Sequence, residues 1–324
     1  MVEKSPYFSI IMPVYNAAKT LQRSLDSIEA QGFRDFEVVV VDDCSTDVSP
    51  EIMSVYAKER DYVKVIRHSA NSGAAAARNT GLDNASGQYL VWLDADDTMA
   101  PEELQTIFEN AGDADIVGWD WTLAMNVNGR YMRQADYSTP LEALKKLMGG
   151  VMRWNLWLWA IRRDLWGDLR FEPDANMGED MMAVLSLLGR ASSVSQIHKP
   201  LYSYNAVNSA SISKQFGGKN RAQIERNLKR LEENLKRTVL QDDLGDSISY
   251  LKLYLKLPLL QSTDREDYRV WYSWMPESNA YAVKNPLLPL HTKVQQWMAE
   301  HKLYIGLKLY YILIYRFIYG IIYR

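Results

Sequence analysis

The sequence contains Phe36-Glu-Val-Val-Val-Val41, which leads without a break into Asp42-Asp43. Consecutive β-branched residues followed directly by polar residues are typical of a parallel strand buried on both faces. Three further runs repeat the pattern: Ser9-Ile-Ile-Met-Pro13, Tyr62-Val-Lys-Val-Ile66 and Gln88-Tyr-Leu-Val-Trp-Leu93. The four runs predict four strands of one sheet, each ending in a polar loop.

Segments with helical character separate these runs. Leu21, Leu25 and Ile28 recur at i, i+4 and i+7, and Ser49-Pro50 is typical of an N-cap and a first helical residue. Alternating strands and helices predict an α/β fold, with ligands at the carboxyl ends of the strands. Because Asp115–Trp121 and Arg130–Arg133 predict further strands around a turn at Asn126–Gly129, we expect a mixed, mostly parallel sheet flanked by helices.

The character of the sequence changes beyond Ser213. Ile224, Leu228, Leu231 and Leu235 form a helical stripe among charged residues, and Ile248–Leu257 predicts another helix. We therefore expect a first domain of residues 1–217 and a helical region of residues 218–324.

Composition and charge bear on the binding partners, the location and the metal ligands of this protein. The formal net charge of −3 and the pI near 5.9 argue against a nucleic-acid-binding protein, which normally has a clustered basic excess. Cys44 is the single cysteine and no signal-peptide pattern opens the sequence, so a reducing cytoplasm is the expected location. The four histidines are scattered, which favours oxygen ligands for any metal.

An acidic cluster, Asp94-Ala-Asp96-Asp97, directly follows one predicted strand. Three carboxylates at the mouth of a buried strand repel one another unless a cation or hydrogen-bond donors compensate. Mg²⁺ or Mn²⁺ typically binds one or two carboxylates and completes its shell with phosphate oxygens and water. The cluster therefore suits a metal-bound nucleotide diphosphate. The alternative is that these acids cap the helix near Pro101 or form a solvated turn.

Two further motifs follow strands in the same way. Asp42-Asp43-Cys-Ser-Thr-Asp47 offers acids that can accept from a ribose hydroxyl or a base N–H, and its alternative is a turn with an N-cap. In the segment from Asn71 to Gly81, small residues allow close helix packing, and Arg78 is able to reach a phosphate or the acidic cluster. Helix packing alone is the alternative for that alanine run.

Four motifs, in this order and spacing, resemble the family 2 glycosyltransferases of the GT-A fold. They are Pro13-Val-Tyr15-Asn16, Asp42-Asp43-x-Ser-x-Asp47, Asn71-x-Gly73 with Ala77-Arg78-Asn79-x-Gly81, and Asp94-x-Asp96-Asp97. The resemblance is specific over residues 8–100 and looser to about residue 213. It implies that Pro13, Tyr15, Asp42, Asp43 and Arg78 bind the nucleoside and phosphates, that Asp94 binds ribose or metal, and that Asp96 binds the metal. Cys44 departs from the usual glycine or asparagine, so a modest steric cost is expected in that loop.

A second acid pair follows in Met177-Gly-Glu179-Asp180, just before the apolar segment 181–188. The start of a helix is expected there, where the dipole lowers carboxylate pKa values, and simple N-terminal charge preference is the alternative. The resembling family has a Glu-Asp pair at this place with the aspartate as base. This implies that Asp180 is the catalytic base and Glu179 a supporting or acceptor-binding residue.

Aromatic and polar residues surround this pair in the sequence. Of the six indoles at positions 119, 121, 154, 157, 159 and 166, we expect one or two at the site and several in the core. The segment after His198 looks like the family region that folds over the donor phosphates, where Tyr204, Ser211 and Lys214 are the candidates.

Residues 302–324 are rich in tyrosine and aliphatic residues and contain no acid. Lys308 and Arg316 interrupt every window long enough to span a membrane, so a helix lying on an anionic membrane surface fits better. The alternative is a helix packed on the catalytic domain or on a homodimer partner.

The combined expectation is an inverting, metal-dependent glycosyltransferase. It would use a nucleotide-diphosphate donor, expected to be a UDP-sugar, with Mn²⁺ or Mg²⁺, and a glycan or lipid-linked hydroxyl acceptor in surface-polysaccharide synthesis. A nucleotidyltransferase is disfavoured because no Gly-rich, Lys-bearing loop follows the first strand, and a dinucleotide dehydrogenase because G-x-G-x-x-G is absent there. A sugar-nucleotide-binding scaffold without turnover is the non-enzymatic alternative.

Overall fold

The computed structural model describes residues 5–124, 129–205 and 217–314. The strands are β1 Phe8–Val14, β2 Phe36–Asp42, β3 Val63–Arg67, β4 Tyr89–Trp92, β5 Thr98–Met99, β6 Ile116–Ala124, β7 Gly129–Met132, β8 Trp159–Arg162 and β9 Val194–Asn205. The helices are α1 Leu21–Glu29, α2 Ser49–Ala57, α3 Ala74–Asn84, α4 Glu103–Ala111, α5 Pro140–Met148, α6 Arg163–Trp166, α7 Glu179–Arg190, α8 Gly218–Leu235, α9 Ser247–Leu260, α10 Arg265–Ser273, α11 Leu290–Glu300 and α12 Tyr304–Tyr311.

By internal contacts the chain forms two compact units. The first consists of Met1–Pro140 with Trp154–Val239, and the second of Leu141–Arg153 with Leu240–Arg324. The contacts therefore group α8 with the first unit. The division into residues 1–217 and 218–324 expected from the sequence stays a prediction.

The first unit is built on a mixed sheet with strand order β3-β2-β1-β4-β8-β6-β9-β5, and β7 pairs with β6. The strands β1 to β4 are parallel neighbours, β8 runs antiparallel to both β4 and β6, and β6 is parallel to β9. The carboxyl ends of β1, β2, β3, β4, β6 and β9 consequently share one edge. The predicted α/β sheet and its four leading strands are confirmed.

Apolar burial explains why these segments form strands. Every residue of β2 is buried, and in β1 only Pro13 is partly exposed. Fully burying a valine, leucine or isoleucine side chain stabilises a fold by roughly 1.5–3 kcal/mol, so the continuous runs favour the centre of the sheet. The edge strand β3 has only exposed and half-buried residues, as an edge position permits.

The predicted cap of α2 was wrong. Val48 is the N-cap residue, and Ser49 is the first helical residue. The Asp47 carboxylate accepts the Ser49 N–H at 3.0 Å, while Ser49 Oγ accepts the backbone N–H of Ala17 at 3.0 Å. An upstream acid supplies the cap because the serine hydroxyl is used to bind another loop.

The second unit is helical. Lys256 on α9 is fully buried, with Nζ 2.5 Å from Asn279 Oδ1 and 4.3 Å from the ring centre of Trp271 on α10. Within the described residues, no helix combines the length and apolarity that crossing a bilayer requires. Residues 315–324, part of the predicted surface helix, lie outside the described residues.

Candidate active site

The loop after β1 is fastened to the loop after β2. Backbone N–H groups make the connections: Asn16 donates to Ser45 Oγ (3.0 Å), Ala17 to Ser49 Oγ (3.0 Å), Ala18 to Asp47 Oδ2 (3.0 Å) and Thr46 to Asn16 Oδ1 (2.8 Å). Pro13 lies at the end of β1, opposite Val41. Tyr15 keeps 51% of its surface exposed, so its ring is accessible for stacking on an aromatic base.

Asp42 is buried at the end of β2. Its Oδ1 accepts the Ser45 N–H at 2.9 Å, and its Oδ2 lies 3.1 Å from Arg67 Nε at the end of β3. Cys44, which lies between Asp42 and Ser45 in this loop, adopts a φ of +63°. A left-handed conformation strains a non-glycine residue, which is the steric cost expected at this position.

Asp43 binds the segment that begins α3. Its carboxylate accepts the N–H groups of Ser72 (2.8 Å) and Gly73 (2.7 Å) and lies 2.8 Å from His68 Nδ1. His68 Nε2 in turn lies 2.9 Å from Thr80 Oγ1 on α3. This acid therefore organises the loop that leads to Arg78, and its predicted nucleoside contact stays a prediction.

The acidic cluster divides into a buried acid and two accessible ones. Asp97 is fully buried and accepts from the Tyr202 hydroxyl (2.8 Å) and the Asn205 N–H (2.7 Å). The same hydroxyl accepts the Asp94 N–H at 3.2 Å. Burial, and next the charge of Asp94, raise the pKa of Asp97. Asp94 and Asp96 are the partly exposed acids of the cluster, and their metal role stays a prediction.

Arg78 brings the two acidic motifs together. It projects from α3, is 7% exposed, and lies 3.6 Å from Asp94, 2.8 Å from Glu179 and 3.1 Å from Asp180. A guanidinium is the side chain suited to several carboxylates at once because its N–H groups fan out in one plane. The predicted contact of Arg78 with the acidic cluster is confirmed in the structure.

Burial is the largest influence on the pKa values of the acids at this centre. Burial, followed by the charge of Asp180, raises the pKa of Glu179 to about 7, although Arg78 opposes the shift. Burial also raises the pKa of Asp94, more than Arg78 lowers it. The sequence correctly predicted that Glu179 and Asp180 begin a helix, α7. Its prediction that the helix dipole lowers the pKa was wrong for Glu179, because burial is the larger effect.

A short 3₁₀ turn, Leu156–Leu158, contacts both the Glu179-Asp180 pair and the residue that binds the acidic cluster. Leu156 donates its N–H to Asp180 Oδ2 at 3.1 Å. The next residue, Trp157, stacks on Tyr202 with ring centres 4.3 Å apart and an interplanar angle of 11°. Since Tyr202 bonds both Asp94 and Asp97, the turn places the two acidic motifs in a fixed relation.

Most of the indoles serve the core. Trp119, Trp159 and Trp166 are each 1% exposed. Trp157 and Trp121 lie nearer to the acids and pack edge to face, with ring centres 5.4 Å apart. Tyr204 stacks on Trp157 at 5.7 Å, whereas the other predicted donor-covering residues, Ser211 and Lys214, lie outside the described residues.

The sequence reasoning missed the residues that fix the loop before α7. Asn79 Nδ2 donates to the Phe171 carbonyl at 2.8 Å, and Asn79 Oδ1 accepts the Phe171 N–H at 2.8 Å. Asn176 Oδ1 accepts the Ala75 N–H at 2.9 Å. Asn79 belongs to the motif Ala77-Arg78-Asn79-x-Gly81, which signals its importance, but no local pattern indicates Asn176 or Tyr202.

The carboxylates of this site can hold a hard divalent cation only if substrate oxygens complete its coordination shell. No group of three or more His, Cys, Asp and Glu side chains suited to a metal occurs among the described residues. Asp94 and Asp96 offer carboxylate oxygens, and Mg²⁺ sites with one or two carboxylates are completed by phosphates and water. The residues present therefore fit a cation that binds with its nucleotide.

Comparison with known proteins matches the part of the chain that holds Asp42, Arg78 and Asp94 to a family model. The model of "Glycosyl transferase family 2" matches residues 9–166. EpsJ of Bacillus subtilis, described as an uncharacterised glycosyltransferase, is 32% identical over 210 residues, which are 61% of this chain and 61% of EpsJ. TuaG of the same organism, named for teichuronic acid biosynthesis, is 29% identical over 229 residues, which are 67% of this chain and 85% of TuaG. The match thus spans about three fifths of the length of EpsJ.

Solved structures share the fold. TarS 1–349 of S. aureus in complex with UDP has a TM-score of 0.65 at 20% identity, covering 95% of this chain and 91% of that chain. The mannosyltransferase PcManGT of Pyrobaculum calidifontis in complex with GDP-Man and Mn²⁺ has a TM-score of 0.56 at 17% identity, covering 96% and 86%. The predicted GT-A fold with a helical C-terminal region is confirmed. The matched segment, residues 9–166, contains the four motifs that follow β1, β2, β3 and β4, so over this segment the chain is similar to glycosyl transferase family 2.

Proposed function

We propose that this protein transfers a sugar from a UDP-sugar to a hydroxyl of a glycan or lipid-linked acceptor, in cell-surface polysaccharide synthesis. The observation that carries the proposal is the position of Arg78, which joins the donor-side acids to the Glu179-Asp180 pair. Donor and base chemistry thereby meet in one place. The TarS structures that share the fold are complexes with UDP and with UDP-GlcNAc, which supports a uridine nucleotide.

On the donor side, we assign Pro13, Tyr15, Asp42, Asp43 and Arg78 to the nucleoside and phosphates. Asp94 and Asp96 would hold Mn²⁺ or Mg²⁺. When bound, the cation supplies positive charge for the departing diphosphate. The Mn²⁺ complex of PcManGT supports this use of a divalent cation.

On the acceptor side, Asp180 is assigned as base and Glu179 as its supporting acid. The acceptor oxygen bonds to the anomeric carbon while the bond from that carbon to the diphosphate oxygen breaks. The nucleoside diphosphate leaves with the electron pair, and Asp180 takes the hydroxyl proton. Attack opposite to the leaving group inverts the anomeric centre. The Leu156 N–H and Arg78 hold the two carboxylate oxygens of Asp180 in place.

A calorimetric panel tests the donor class. Purified protein is titrated with UDP, GDP, CMP and NAD, with and without Mn²⁺, and the expected result is Mn²⁺-dependent binding of UDP. UDP release from a panel of UDP-sugars then separates an enzyme from a scaffold, because a scaffold binds without turnover. Metal-independent NAD binding, or no binding at all, would overturn the proposal.

We also propose that residues 302–324 contact the anionic inner face of the cell membrane. In the described part, Ile305, Leu309 and Leu313 are 79%, 62% and 60% exposed, and Lys302 and Lys308 are exposed beside them. Apolar side chains with flanking lysines favour an anionic lipid surface.

Vesicle flotation tests this contact. Binding to phosphatidylglycerol vesicles but not to phosphatidylcholine vesicles is expected, and Ile305→Glu with Leu309→Glu should abolish it. Val55→Glu, at a position 73% exposed in the first unit, is the control. A homodimer in sedimentation that the double variant dissociates, without any vesicle binding, would instead assign this surface to a second copy.

A further inference from the structure

The loop that leads to the acid pair is held from two sides. It runs from Phe171 to Gly178, which is the N-cap residue of α7 and has a φ of +79°. On one side, α3 binds it through Asn79 at Phe171 and through the Ala75 N–H at Asn176. On the other side lies α8, a helix outside the segment 9–166 matched by the family model.

Three residues of helix α8 make four contacts with this loop. Arg226 Nη2 donates to the Asp174 carbonyl at 2.5 Å, and Arg230 Nη1 lies 2.8 Å from Glu172 Oε2. Asn227 is fully buried, and its Nδ2 donates to the carbonyls of Ala175 and Met177, each at 2.9 Å. The bond to Met177 is thus made one residue before Gly178 and two before Glu179.

The hydrogen bonds of the Asn227 amide indicate that this side chain serves to hold the loop. Both of its bonds use the amide N–H₂ group, while Oδ1 has no hydrogen-bond partner among the described residues. A buried amide that leaves one polar atom unpaired loses free energy, so its retention needs a compensating gain. Here the gain is that Asn227 fixes two carbonyls of the loop, those of Ala175 and Met177, directly before Glu179 and Asp180.

We propose that Asn227 is a positioning residue for sugar transfer, which holds the loop 171–178 so that Asp180 and Glu179 meet Arg78 in the reactive geometry. The inference rests on the proposed function, in which Asp180 is the base. It assigns a task to α8, namely to fix the loop that precedes the base-bearing helix α7 without touching donor or acceptor. A displacement of about 1 Å in a catalytic group lowers the rate on the order of 100-fold, so a loosened loop should reduce turnover and spare donor binding.

The test compares Asn227→Leu with Asn234→Leu in the full chain. Asn234 is also on α8 and bonds α7, but at Ser186 Oγ (2.9 Å), away from the loop. We measure the Kd for UDP with Mn²⁺, and kcat and KM for UDP release from UDP-GlcNAc or whichever donor the panel identifies. Asn227→Leu should lower kcat by at least about 10-fold with Kd and KM within about twofold, and Asn227→Gln should restore part of it. Asn234→Leu should leave kcat within about twofold of the parent.

Hydrogen exchange provides a readout that is independent of activity. Amides of residues 171–178 should exchange faster in Asn227→Leu than in the parent, with no matching change in Asn234→Leu. If the parent releases no UDP from any donor, the proposed function fails, and this exchange measurement alone decides whether Asn227 holds the loop.

If Asn227→Leu does not fold, the double variant Arg226→Ala with Arg230→Ala takes its place, because it removes the two less buried contacts. Equal losses of kcat in the two asparagine variants, or unchanged exchange in the loop, would overturn the assignment.

Discussion

Arg78 Nη1 lies 2.8 Å from Glu179 Oε1, although 101 positions separate the two residues in the sequence. The contact joins α3, which follows the donor-side loops, to the first turn of α7. Its consequence is that Asp94 and the Glu179-Asp180 pair share one guanidinium.

Replacing Arg78 should damage both stability and binding. Arg78→Ala leaves Asp94, Glu179 and Asp180 without their shared partner, and breaking a buried ion pair from one side costs about 3–5 kcal/mol. Urea unfolding measures the loss. The control is Arg170→Ala, which breaks the exposed pair with Asp83 and should cost less than about 1 kcal/mol. Similar losses in the two variants would contradict the central role of Arg78.

Asp96 and Asp180 should separate binding from chemistry. We expect Asp96→Ala to abolish Mn²⁺-dependent UDP binding, because a cation ligand is lost. Asp180→Asn should retain that binding and lose turnover, since an amide does not accept the hydroxyl proton. Calorimetry and UDP release report the two properties. Equal loss of UDP binding in both variants would refute this division of roles.

Tyr202→Phe should weaken the metal-dependent binding of UDP. The variant removes the hydroxyl that donates to Asp97 and accepts the Asp94 N–H, so a buried acid loses one of its donors. A destabilisation of about 1–3 kcal/mol is expected in urea unfolding, with a higher Kd for UDP and Mn²⁺. Tyr131→Phe is the matched control because its hydroxyl also binds a buried acid of the sheet, Asp120, away from the cluster. An unchanged Kd in Tyr202→Phe would count against the link.

Glu103 should make stability depend on pH. It is fully buried on α4, its carboxyl oxygens have no hydrogen-bond partner among the described residues, and burial raises its pKa well above the ordinary value. The folded state keeps the proton that the unfolded chain releases, so stability is lost as pH rises above the ordinary glutamate pKa of about 4.3.

Glu103→Gln should therefore exceed the parent by at least about 1 kcal/mol at pH 8, with the gain shrinking toward pH 4.5. The free energy of urea unfolding at both pH values measures this. The exposed neighbour Glu102 gives the control Glu102→Gln, which should show no such gain. A parent and a Glu103→Gln variant with equal stability at pH 8 would disprove it.

The leading strands and the acids at their ends were predictable because apolar runs and the polar residues after them are local signals. β1, β2, β3 and β4 are found where the runs predicted them, and Asp94 follows the last as expected. The partners of those acids were not predictable. Tyr202 meets Asp97 across 105 positions, and Asn227 meets Met177 across 50. No sequence period reports such pairings, since they arise only when the sheet and α8 assemble.

Energetic competition also limits what sequence can predict. The dipole of α7 and the burial of Glu179 act on the pKa in opposite directions, and only the structure shows that burial is the larger effect. Ser49 similarly has the residue type of an N-cap, but its hydroxyl accepts from Ala17 instead.

The fastening of the first two loops has a practical consequence for engineering. Asn16 and Ser45 come from segments that are 29 positions apart, yet each loop satisfies the backbone of the other. Transplanting only one of them from a homologue would leave N–H groups facing mismatched side chains. A chimera that exchanges these loops should therefore take both from the same parent, because the two loops satisfy each other's backbone N–H groups.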